Sequence, residues 1–88
     1  MRVDVLVWDR QNYEHIARHW VRKEEVQEVL DRYYHLRQVR KGRYAIRGQT
    51  YAGRFLFIIV DPLGLGRAYV VTAREMTEAE KHRFRRSL

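Results

Sequence analysis

The chain has 88 residues, 45% of them hydrophobic, and its eighteen Lys and Arg against eleven Asp and Glu give a formal net charge of +7. That length makes one compact domain over residues 1–88, with a core large enough for a small sheet and two or three helices and no room for a second unit. The absence of cysteine excludes disulfides, thiolate catalysis and cysteine-ligated zinc and fits a reducing compartment, and the longest apolar run, Phe55 to Val60, is far too short to span a membrane.

Val3, Val5 and Val7 alternate with Asp4 and Leu6 and predict a short strand ending at Trp8. Asp4 and Asp9 also rule out an apolar signal core at this end, so the chain reads as soluble and cytoplasmic. Asp9 is placed to cap a helix whose apolar stripe is Tyr13, Ile16, Ala17 and Trp20, with Arg10, Glu14 and Arg18 facing away. After Val21 a second helix carries Val26, Val29, Leu30 and Tyr33 on its stripe. Its acids, Glu24, Glu25 and Glu28, crowd the positive helix start.

From Leu36 the period changes to two. Strands are predicted over 36–40 and 43–50 around a Lys41-Gly42 turn, with Tyr44 and Ile46 on one side of the second and Arg43, Ala45 and Arg47 on the other. Ala52-Gly53 turns the chain into Phe55 to Val60, apolar on both sides and suited to the sheet interior. Asp61 to Gly66 reads as a loop. Arg67 to Arg74 reads as a strand with Tyr69, Val71 and Ala73 on one side and Ala68, Val70 and Thr72 on the other. Thr77 and Glu80 form a capping box for a last helix starting at Glu78. The sum is an α+β domain, a mostly antiparallel sheet with two helices before it and one after, all three placed over the same sheet face or its edge.

Arg32, Arg37, Arg40, Lys41, Arg43, Arg47 and Arg54 stand within residues 32–60 with no acid among them, interleaved with Tyr33, Tyr34, Tyr44, Tyr51, Phe55 and Phe57. Arginine forks meet phosphate oxygens in pairs and stack on bases, so the segment points to a polyanion, nucleic acid first. The glycines of residues 61–66 lead to a strand and lack the spacing of a phosphate loop, which removes nucleotide hydrolysis. His15 and His19 share one flank of the first helix, but without further ligands their spacing does not make a zinc site. Either can contact phosphate or carry a proton, and His19, at the helix end that favours a histidinium, is the stronger candidate. Cleavage of RNA needs no metal, since the 2′-hydroxyl is an internal nucleophile. Arg54 and Arg74 flank strands, where each can serve a developing phosphate charge or pair with a helix acid.

Trp8-Asp9, then His15-Ile16-Ala17-Arg18-His19 with Val21, then Glu25 to Leu30, together resemble the opening of the BrnT family of toxins. Gly42-Arg43-Tyr44, Gly53-Arg54-Phe55-Leu56 and Val71 to Thr77 followed by Glu80 continue the resemblance in order over nearly the whole chain. The resemblance implies a small RelE-like domain and a metal-independent endoribonuclease, without cofactor, that cleaves mRNA, inhibits translation and is held by a cognate antitoxin protein. Ribosome-associated mRNA is one candidate target. Carried onto this chain, the family pattern points to His19, Arg54, Arg74 and Glu80 as catalytic; the basic segment itself supplies Arg37, Arg40, Lys41, Arg43 and Arg47 as the bases for RNA. The chain departs from it at Trp20, where a glycine commonly follows the histidine, and at Phe84, where the closing helix often has a tyrosine. Two other function classes fit the same charge: a non-catalytic RNA-binding or regulatory protein, and a protein-binding domain for an acidic partner.

Overall fold

Asp9 both ends the first strand and starts the first helix. Its carboxylate accepts from the Asn12 N–H at 2.9 Å, and the Asn12 amide oxygen accepts from the Asp9 N–H at 2.9 Å, satisfying two backbone donors at once. Thr77 and Glu80 repeat the arrangement at the last helix, at 3.2 and 2.8 Å. In the computed structural model, which describes residues 2–88, these caps open α1 (Arg10–Ala17) and α3 (Glu78–Arg86), with α2 (Lys23–Leu30) between them. The strands are β1 (Val5–Val7), β2 (Tyr34–Gln38), β3 (Tyr44–Gln49), β4 (Phe55–Gly64) and β5 (Arg67–Glu75). They form one sheet in the order β1-β5-β4-β3-β2, antiparallel throughout except where β1 runs parallel to β5. Among the described residues no helix is long and apolar enough to cross a membrane.

One face of the sheet carries the core. Leu56, Ile58 and Val60 of β4, Ile46 of β3 and Val70 of β5 are fully buried against Ile16, Val26 and Val29 of α1 and α2. A Cβ on Gly48 would lie 2.6 Å from the Val29 side chain, so a glycine there lets α2 lie directly on β3. β1 pairs only with Arg67 to Tyr69. Beyond it α1 takes over the edge of β5: the buried Asn12 amide donates to the carbonyls of Val7 and Val70, each at 3.0 Å, in place of a missing strand.

Several sequence expectations change. Tyr13 and Trp20 are 50% and 84% exposed and Ala17 is exposed too, so of the expected α1 stripe only Ile16 enters the core, joined by Asn12. Aromatic rings with polar tips count as apolar in a periodicity yet sit comfortably in water. Tyr33 is likewise exposed, because α2 stops at Leu30. β2 begins and ends two residues before the expected range, leaving Arg40 and Lys41 in a 3-10 turn with Gly42. The expected loop after Val60 is instead the continuation of β4, which pairs with β5 as far as Gly64 opposite Arg67.

The remaining differences decide the surface. β5 is irregular between its partners Ile59 and Val60, which face Thr72 and Val70 and leave Val71 over. The extra residue shifts the alternation: Ala73 joins Val70 in the core, and Thr72 turns outward with Arg74. Helix α3 lies on the opposite sheet face from α1 and α2. Its Phe84 is 1% exposed and packs on the Phe55 and His35 rings at centroid distances of 6.0 and 5.1 Å. Phe55, Phe57 and Ile59 alternate with the core residues of β4, so α3 covers one end of this second face and leaves the rest open.

Candidate functional site

Arg47 of β3, Phe57 of β4 and Arg74 of β5 are neighbours in register across the open face. The two guanidinium carbons stand 4.8 and 4.3 Å from the Phe57 ring centroid, a stacked geometry that fixes both forks over one aromatic floor. Arg74 is held from the far side by α3. Its Nη1 and Nη2 donate to Oε1 and Oε2 of Glu80 at 2.8 and 3.1 Å. That fork is the main reason the Glu80 carboxyl is lowered to about 2; burial opposes it, and the Thr77 N–H adds to it.

Among the described residues Arg47 has no such partner. Burial is the first reason that its guanidinium falls below its ordinary value; Glu80 opposes the shift, and the like charges of Arg37, Arg83 and Arg74 reinforce it. Three like charges therefore act on Arg47 against one carboxylate. An anion placed among them relieves both the repulsion and the lost hydration.

Arg37, Arg40, Lys41, Arg43 and Arg47 line one concavity of about 760 Å³ with Ile59 in it, bringing the five expected RNA-binding bases together. Arg37 and Arg47 continue into another of about 630 Å³ with His35, Arg83 and Phe84. Arg43, whose Nε donates to Asp61 at 2.9 Å, continues into a third of about 300 Å³ with His15, Tyr69 and Val71. The shared residues make these one basic track from α3 to α1.

Of the four expected catalytic residues, Arg74 and Glu80 meet, and the other two lie elsewhere. Arg54 is turned to the helix side of the sheet. Its Nη1 donates to both carboxylate oxygens of Glu25 at 2.8 and 2.9 Å, and its Nε donates to Glu75 at 3.0 Å, tying the start of α2 to the ends of β4 and β5. The Glu25 carboxyl is burdened first by burial and still falls below its ordinary value, through the Arg22 N–H and then Arg54. Glu25 thus has a specific partner beyond the helix dipole, and Arg54 does not share a face with Arg43 and Arg47. His19 is exposed past the last turn of α1, its ring edge-on to that of His15 at 5.4 Å. His15 itself reaches the open face, with Nε2 3.0 Å from Thr72 Oγ1. Sequence reasoning missed Thr72 and Arg83. No local signal announces the bulge that exposes Thr72, and Arg83 resembles any other base at a charged helix end.

No family model matches the chain, and no curated protein matches it either. Among solved structures the fold matches the crystal structure of the Brucella abortus ribonuclease toxin BrnT, with a TM-score of 0.68 over 84% of this chain and 97% of that one. The sequences are 17% identical, so the likeness is one of fold. It meets the resemblance read from the sequence motifs at that level.

Proposed function

We propose that this protein is a metal-independent endoribonuclease toxin whose open sheet face binds and cleaves mRNA, and that a cognate antitoxin restrains it by covering the same face. The observation that carries this reading is the pair Arg47 and Arg74 over the Phe57 ring, with Arg37 and Arg83 as further like charges near Arg47 and Glu80 as the carboxylate that opposes them. Such a face offers phosphate two or more forks and offers a base an aromatic and an aliphatic floor, Phe57 and Ile59. Arg74, pre-oriented by Glu80, is suited to the charge that grows on a phosphate in the transition state, because its position is fixed before substrate arrives. The fold shared with a ribonuclease toxin supports the same choice.

The test is incubation of single-stranded RNA with the purified chain in excess chelator. The reading expects shortened RNA, with cleavage falling when Arg47 or Arg74 becomes Ala. Intact RNA that nonetheless binds selects a non-catalytic RNA-binding protein, a reading favoured by one observation: Phe84 is buried and brings no hydroxyl to the site. An acidic antitoxin that competes with RNA for this face completes the proposal, since one negative segment neutralises the track and blocks it together.

A further inference from the structure

We infer that His15 is the group that takes the proton from the attacking 2′-hydroxyl, with Thr72 holding its ring in place; the inference rests on the ribonuclease reading above. His15 is half-buried, and its Nε2 lies 3.0 Å from Thr72 Oγ1. When Nε2–H donates to that hydroxyl, the lone pair of Nδ1 is left to accept a proton. Thr72 and Arg74 face the same side of β5 two residues apart, a separation of about 7 Å along a strand. A phosphate held by Arg74 therefore has its adjoining ribose within reach of Thr72 and His15.

The bulge supports the assignment independently. In regular alternation Thr72 would follow Val70 into the core, where a hydroxyl is costly. The irregularity at Val71 instead delivers Thr72 to the open face beneath His15. The other titratable groups around the ring are His19 on its own helix and Arg43, Asp61 and Tyr69 in the shared concavity. Asp61 is engaged by Arg43 and the Tyr69 hydroxyl by Asp9, so neither is directed at the imidazole.

The step balances without a further reagent. The 2′-oxygen bonds to phosphorus as its proton passes to Nδ1 of His15. The bond from phosphorus to the 5′-oxygen breaks with its electron pair on that oxygen, which takes a proton from water. The hydroxide so formed recovers the proton from the imidazolium, leaving a 2′,3′-cyclic phosphate and a 5′-hydroxyl.

The experiment compares cleavage of a short RNA by the parent, His15→Ala, His15→Asn and His19→Ala, with binding measured on the same RNA carrying 2′-deoxy substitutions. The expected result is a loss in kcat of about 10²–10⁴-fold for both His15 variants, with binding and melting retained. The loss of one limb of the pH–rate profile and partial rescue of His15→Ala by added imidazole are also expected; a purely packing role gives neither. Parental rates and an unchanged profile in both His15 variants, or a larger loss at His19 than at His15, overturn the inference while leaving the ribonuclease reading intact. A parent chain that binds RNA and never cuts it overturns both.

Discussion

Arg74 and Glu80 form a two-point fork, 2.8 and 3.1 Å, that joins the last strand of the sheet to the helix lying on its open face. The same carboxylate accepts the Thr77 N–H at 2.8 Å, so one side chain caps the helix and aims the arginine. The Glu80 carboxyl, lowered to about 2 from an ordinary 4.5, titrates at higher pH in the unfolded chain. A depressed folded value means that the stabilisation is fully present above pH 4.5 and is lost as pH falls toward 2. Urea melts of the parent should show that decline, and Glu80→Gln should flatten it while costing about 1–2 kcal/mol at neutral pH, the Arg74 side being partly screened by solvent.

Arg54 and Arg47 should separate stability from binding. Arg54→Ala leaves Glu25, 7% exposed, with only the more distant Arg22 guanidinium at 3.9 Å, and should lower stability by about 2–3 kcal/mol with RNA affinity of the folded protein preserved. Adding Glu25→Gln should recover part of the loss, as a double-mutant cycle in denaturant will show. Arg47→Ala should do the opposite.

Charge substitutions in adjacent residues of β4 should have unlike outcomes. Ile58 is fully buried in the core, so Ile58→Asp should unfold the chain. Phe57→Asp should remain folded, because its carboxylate would emerge between Arg47 and Arg74. Circular-dichroism melts of the two variants decide the assignment of faces.

Trp20 sits at φ 61°, a left-handed conformation in which a side chain costs about 1–2 kcal/mol, and its ring is 84% exposed. Trp20→Gly removes that strain and loses little packing. A gain of roughly 0.5–1 kcal/mol is expected after the flexibility of glycine is counted, measured as a higher melting temperature.

Salt should report the track itself. Each phosphate contact on a single strand contributes about 0.7 to the slope of log affinity against log salt, so the Arg37→Ala, Arg47→Ala pair should lower that slope by roughly twice as much. An unchanged slope would place the RNA elsewhere on the molecule.

Much of this architecture was legible because it is local. The capping pairs at Asp9 and Thr77, the change from a helical to a twofold period, and the grouping of Arg43 with Arg47 on one side of a strand all depend on residues within a few positions of one another. What was not legible depends on distant parts meeting. Arg54 finds Glu25 across 29 residues, and Phe84 chooses the face opposite α1 and α2 because Phe55 and His35 leave an apolar seat there. The bulge at Val71 changed which side chains belong to the site, since a single added residue exchanges the two sides of everything after it. Composition picked out the basic segment but could not tell that Arg54 turns to the helix side of the sheet and His15 to the open face.

The parallel pairing of β1 with β5 also bears on how the molecule comes into being. Of the five strands β1 is synthesised first, and its only partner in the sheet is the last. Neither Arg74 nor the helix carrying Glu80 exists until most of these residues have been translated, so the basic surface cannot be assembled on a half-made polypeptide. Closure over so long a loop slows folding relative to a helical domain of the same size. Most of these residues are therefore synthesised before the basic track can form, and a partner present at that moment meets the strands before the surface is complete.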